Sequence, residues 1–338
     1  MDRRDFLYLA GGAAGIAALA STGVADSNPQ SAAPRERDGL LSGVKPISDN
    51  ERTARIEKAR QLMAANHIDA IFIESGSSLF YYTGATWGLS ERTFGLVIPA
   101  KGPLAWVTPA FEKARAQELI RFGTDIRTWE EDESPYKLIA QILKDRGVRT
   151  GRVGIEERVR FFVFDGLRKE APGVEFVSAD PVTAGCRMIK SPAEIALMKR
   201  ANEITLEAFR SASSNMKEGM TTRDFAANYN SALRSAGVSG YVSVSFGEYS
   251  AYPHGSIQPQ KLKEGDIVLM DGGCSIDGYQ ADITRTIVFG KPSQRQREIW
   301  NLERRAQDAG LAAAKVGNTC ESVDAAARKV ITDAGFGP

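Results

Sequence analysis

The segment GDIVLMDGGCSIDGYQADITRTIVFG (residues 265–290) constrains the fold of this chain more than any other stretch. IVLMD and ADITRTIVF both read as strands. Between them, Asp277-Gly278 is a preferred two-residue hairpin turn, since both residues tolerate the positive φ that such turns demand. The turn sets a register. If Ile276 pairs with Tyr279, Asp271 lies directly opposite Thr284, and Asp282 is the diagonal neighbour of Asp271 on the same face, about 7–8 Å away between backbones. A bulge at Gly272-Gly273 would break that register. Two carboxylates converging on one face repel each other and are costly to bury bare, a cost that one or two divalent cations resolve. Thr284 would stand beside them as a hydrogen-bond donor. An exposed hairpin whose acids simply face water is the other reading these residues allow.

A second constraint is repetition. Ser191, Pro192 and Glu194 form a capping box at the start of a long helix reaching to about residue 216. A second helix spans about 221–236 and stops at Gly237. Ser293 and Gln296 can cap another long helix to about residue 316, and a further helix ends at Gly335. Sliding the chain by 98 residues superposes Lys217 on Lys315, Gly219 on Gly317, Thr221 on Thr319 and Ala227 on Ala325, and then Ala236 on Ala334 and Gly237 on Gly335. We read this as an internal duplication. In the first copy the helix pair leads into β structure from Tyr241 to Gly290, whereas the second reaches Pro338 without one. The expectation is a truncated product of a longer fold.

Upstream, short apolar runs at 70–74, 94–99, 104–108, 153–156 and 174–178 alternate with helical patterns at 49–66, 110–121, 135–146 and 159–170, as in an α/β layer. Residues 77–98 read from their own chemistry as a tyrosine-rich strand and loop. His67 falls at a helix end, where a capping role outweighs a ligand role. There is neither a GxGxxG after a strand nor a GxxxxGK[ST], so no nucleotide fingerprint is present.

Several of these segments resemble the Xaa-Pro aminopeptidase, prolidase and creatinase family of pita-bread metallopeptidases. DGG (271–273), DGY (277–279) and DITRT (282–286) match its metal-binding hairpin, AYPHG (251–255) the segment of its active-site histidine, and RMIKSPAEI (187–195) its interdomain junction. The resemblance covers roughly residues 47–338. It implies a creatinase-type α/β domain at 47–183, with 77–98 facing the substrate. After it, 184–338 would form an α+β pita-bread domain of which the first half and the second helix pair are present. It makes Asp271 and Asp282 metal ligands, with Asp282 bridging two divalent ions (manganese, cobalt, zinc or iron). It places His254 near the substrate as a binding or proton-shuttling group. A metal-bridged water would then hydrolyse peptides with proline at the second position. The family's remaining ligands, a histidine of an HxxGH-like segment and two glutamates, are absent from these 338 residues, so weak metal binding and an inactive product are expected. A homodimer is implied as well. A creatinase-like amidinohydrolase and a non-catalytic module binding peptides or a partner are the alternatives.

The first residues read as an address. Arg3-Arg4 precede Phe6-Leu7 and a Gly/Ala-rich apolar run to about Ala20, and Gly23 and Ala25 supply the small residues of a cleavage site. Residues 1–25 resemble a twin-arginine signal, which implies export to the periplasm. The run is too short and too glycine-rich for a stable membrane span. Residues 26–46 are Pro/Ser-rich and read as a solvated linker. A formal net charge of +1 and the lack of a basic aromatic stripe argue against a nucleic-acid partner. Cys186, Cys274 and Cys320 are too scattered for a disulfide framework or zinc site and read as small buried or half-buried residues.

Overall fold

A computed structural model of the protein describes residues 41–337. The expected signal at 1–25 and most of the linker lie outside the described residues. The end of the expected linker is not solvated: Leu41 and Val44 pack against the carboxy-terminal core, next to buried Ile47. Their apolar side chains outweigh the polar character of the rest of that stretch.

The first domain opens with α1 (Asp49–Ala65), capped by Ser48, whose Oγ accepts the Glu51 N–H at 3.2 Å. Its order continues through β1 (Ala70–Glu74), α2 (Ser77–Thr83), β2 (Gly95–Pro99), β3 (Ala105–Pro109), α3 (Lys113–Leu119) and β4 (Asp125–Trp129). It closes with α4 (Pro135–Asp145), β5 (Gly151–Ile155), α5 (Phe161–Glu170), β6 (Val174–Ser178) and α6 (Asp180–Arg187). The six strands form one mixed sheet in the order β4-β3-β2-β1-β5-β6. β1, β2 and β3 are buried at every position because helices cover both faces. Ile71, Ile73, Leu96, Ile98 and Trp106 meet α1 and α6 on one face, and Phe72, Val97, Ala105 and Val107 meet α4 and α5 on the other.

Two local expectations need correction. SSLFYYT is a helix, α2, not a strand; it starts after Gly76 and ends on left-handed Gly84. Tyr81 and Tyr82 are both buried although adjacent, and so short a run shows no clear period. His67 ends α1 through its own backbone at φ 54 rather than by a capping side chain.

The second domain begins with α7 (Pro192–Ser214) and α8 (Thr222–Ser235), each started by a complete capping box, Ser191/Glu194 and Thr221/Asp224. Such caps contribute about 1 kcal/mol each. β7 (Ser239–Phe246), β8 (Ile267–Ile276), β9 (Tyr279–Gln280) and β10 (Ile283–Val288) follow, and β8 sits between β7 and β10. Leu197, Ala201, Ile204, Ala208, Phe209 and Ala212 of α7 form the helical stripe that covers one face of this sheet. Against it lie Val244, Phe246, Val268, Met270, Cys274 and Ile283. α9 (Gln294–Ala313) and α10 (Cys320–Asp333) repeat the helix pair, with Thr319 capping α10 as Thr221 caps α8. α9 buries Leu302, Ala306 and Gly310, one stripe four residues apart, whereas α10 buries none. Cys186 and Cys274 are buried as expected; Cys320, at the exposed start of α10, is not.

One charge cluster gives the first domain a defined response to acid. The Asp125 carboxylate accepts from Arg127 Nε at 3.0 Å and is also paired with Arg146. The bond from Arg127 holds its pKa below the ordinary 3.8, partial burial opposes this, and Arg146 adds to it. A carboxyl whose pKa is depressed on folding stabilises the fold above its unfolded value and loses that contribution as pH falls through the folded value. The melting temperature of the parent should therefore drop as pH falls below about 4, and Asp125→Asn should reduce that drop. Parallel melting curves between pH 2 and pH 5 would contradict it.

Candidate metal hairpin

The register follows the turn. Ile276 pairs with Tyr279, Ser275 with Gln280, Gly272 with Ile283 and Asp271 with Thr284. Asp277 (φ 48) and Gly278 (φ 78) both take the left-handed conformation that a type I′ turn requires. Equal numbers of residues lie on the two sides, so the double glycine introduces no register shift. What it allows is close approach: a Cβ on Gly273 would lie 1.8 Å from the Ala281 carbonyl oxygen, and one on Gly272 would lie 2.4 Å from that of Tyr241.

Alternation sorts the two faces. Even-numbered residues of β8 enter the core with α7, and odd-numbered ones face away from it. Asp271 is half-buried on that outer face, with Ser243 of β7 paired on one side and Thr284 of β10 on the other. Thr284 Oγ1 donates to Asp271 Oδ1 at 2.9 Å. Asp282 is exposed, at the break in the ladder between β9 and β10. Neither aspartate forms an ion pair among the described residues.

Tyr241 was not singled out by the sequence reading, yet it belongs to this face. It pairs with Gly273, and its phenol is held above its ordinary pKa first by desolvation and then by the charges of Asp282 and Asp271. The signal was available. The parity that puts Asp271 and Asp282 on one side puts Tyr241 there too, once β7 is paired.

His254 is exposed in the loop that follows β7. Phe246 N–H donates to Gln260 Oε1 at 2.8 Å and closes the base of that loop. A Cβ at Gly255 would lie 3.7 Å from Ser245 Oγ and 3.9 Å from Ser243 Oγ, so the residue after His254 rests on the sheet face that carries Asp271. Cys274 lies on the opposite face, where burial pushes its thiol up and its Sγ donates to the Ala201 carbonyl at 3.3 Å. It is packing beneath the hairpin, not a ligand.

Two carboxylates without a cationic partner, on the open face that also carries Tyr241, fit a hard divalent cation. With a cation bound they would form one side of its coordination shell. Among the described residues no third His, Cys, Asp or Glu gathers with them.

Comparison with known proteins bears on both domains. The profile of the Creatinase/Prolidase N-terminal domain matches residues 55–189, and that of Metallopeptidase family M24 matches residues 196–338. An uncharacterized peptidase of Schizosaccharomyces pombe is 37% identical over 308 residues, which cover 85% of this chain and 66% of that protein. The Xaa-Pro dipeptidase of Pyrococcus furiosus is 30% identical, with 84% and 78% covered. Among solved structures, a recombinant prolidase from Thermococcus sibiricus superposes with a TM-score of 0.77 at 28% identity, over 86% of this chain and 79% of that one.

Proposed function

The chain belongs to metallopeptidase family M24, and on that footing we propose that Asp271 and Asp282 bind divalent metal for hydrolysis of peptides with proline at the second position. The carrying observation is the register that sets Asp271 against Thr284 and leaves two uncompensated carboxylates on one face. The substrate class is supported by the Xaa-Pro dipeptidase and prolidase relatives and by the creatinase/prolidase domain. The chain spans just under two thirds of the fission yeast relative and over three quarters of the Pyrococcus one. The activity is proposed for a site in which these two ligands are joined by others.

When bound, a pair of divalent ions supplies Lewis acidity for the scissile carbonyl and lowers the pKa of water. The chain's own groups do the rest. Thr284 donates to Asp271 Oδ1 and so fixes which carboxylate lone pairs stay free. The Tyr241 phenol lies exposed on the same face, beside the two acids, and can donate a hydrogen bond toward it. His254, exposed on a loop anchored at Gln260, is free to meet the substrate and hold or move a proton there. Oxygen donors of this kind accept manganese, cobalt, zinc or iron.

The test is a substrate panel with manganese- or cobalt-supplemented protein in which further ligands join these two aspartates. Proline release from Xaa-Pro dipeptides, abolished by chelation and restored by metal, is the expected result. Cleavage of creatine with no action on Xaa-Pro peptides would overturn the substrate assignment.

A further inference from the structure

The turn of the metal hairpin is pressed onto the amino-terminal domain. A Cβ on Gly278 would lie 2.4 Å from the Phe80 ring of α2. The next residue sends its hydroxyl inward. Tyr279 donates to Glu194 Oε1 at 2.9 Å and accepts from Arg55 Nη2 at 3.1 Å. Arg55 is 5% exposed, and it also donates to Glu51 at 2.6 Å and to the Tyr81 carbonyl at 2.9 Å, with its guanidinium 4.1 Å from the Tyr81 ring centre. Glu194, 3% exposed, spends its other oxygen on the Ser191 N–H at 2.7 Å. One arginine thus joins α1, the end of α2, the start of α7 and the tip of the hairpin.

Burial works against the Arg55 charge, and its bonds to Glu51 and Tyr279 more than offset this, holding its pKa above the usual value. A buried ion cluster of this sort is a poor way to gain stability, since packed apolar side chains of like volume do as well or better. What it supplies is angular definition, and the hairpin has a place that needs it. The ladder is interrupted at Ala281 and Asp282, where the remaining backbone tie is Ala281 N–H to the Cys274 carbonyl at 2.9 Å. Asp282 is therefore fixed by what holds its two flanks, the register from Ile283 onward and Tyr279 three residues before it.

We propose that Arg55 of the amino-terminal domain is a positioning residue for the Asp271–Asp282 pair, acting through the Tyr279 hydroxyl held on Glu194. The proposal rests on reading that pair as metal ligands. It makes the first domain part of the site's architecture.

Tyr279→Phe removes the hydroxyl and keeps the ring, and Arg55→Met removes the charge. Hydrogen exchange by mass spectrometry on the metal-free full chain should show residues 279–284 exchanging about tenfold faster in Tyr279→Phe, with β7 unchanged. Arg55→Met should do the same, and adding Tyr279→Phe to it should produce no further increase. Binding of Mn²⁺, read by loss of the free-ion electron spin resonance signal, should weaken about fivefold in Tyr279→Phe. Unchanged exchange at 279–284 would overturn the proposal. So would faster exchange spread equally over β7 and α7, which marks mere interdomain adhesion, or faster local exchange with Mn²⁺ affinity intact. A parent chain that binds no Mn²⁺ would remove the ligand reading of the two aspartates, and the positioning claim would fall with it even where the exchange data show the hairpin held.

Discussion

Replacing Gly273 by alanine should cost about 3 kcal/mol and damage the proposed metal site together with the fold. The added Cβ would sit 1.8 Å from the Ala281 carbonyl oxygen and 2.6 Å from its carbon, so it meets backbone, which has no rotamer to move to. It would also lie 3.4 Å from the Asp282 nitrogen, so relief of the clash carries Asp282 with it. A fall in melting temperature of roughly 6–12 °C, with weaker Mn²⁺ binding, is the expected result. Gly88 is the control, because nothing lies within 4 Å of its added Cβ and its φ is ordinary. Gly88→Ala should stay within about 0.5 kcal/mol of the parent. Equal effects at the two glycines would mean that the close strand approach is not real.

Asp282→Ala should separate the function of the hairpin from its stability. Asp282 is exposed, forms no ion pair among the described residues and shares a face with a second negative charge. Removing it relieves repulsion, so the metal-free melting temperature should hold or rise slightly. Divalent metal affinity should fall by more than about a hundredfold, since a direct ligand is worth at least as much as the outer partners whose loss costs ~10–100-fold. Titration with Mn²⁺ alongside calorimetry reads both quantities. Loss of stability with metal affinity unchanged would make Asp282 a structural residue and remove the basis of the proposed chemistry.

Where the sequence spoke clearly, it did so through local chemistry. Asp277-Gly278 fixed the hairpin register to the residue, down to the Thr284–Asp271 bond, because turn type and strand pairing are decided within a dozen residues. Ser191 and Ser293 marked helix starts for the same reason. Continuous apolar runs located β1, β2 and β3 within a residue at either end. The helix at Ser77–Thr83 escaped because seven residues are too few to display a 3.6-residue period. Glu194 was legible as a cap but not as the acceptor for Tyr279, and Arg55 looked like one more charge on a helix. Those roles depend on which domains touch, and no window of sequence contains that. Metallopeptidase membership was legible from the hairpin because its motif is contiguous.

The hairpin's locality also bears on the order in which the molecule acquires its parts. Asp271 and Asp282 lie on the two arms of a hairpin with a two-residue turn, and hairpins close in about 1–10 microseconds. The contact of Arg55 with Tyr279 closes a loop of 224 residues and has to await both domains. A chain partway through folding would then already hold its two carboxylates side by side while their final angle is unset. The pair would be able to meet a cation before the domain that aligns it has docked, and the last step of folding would act as a tightening of a site already assembled.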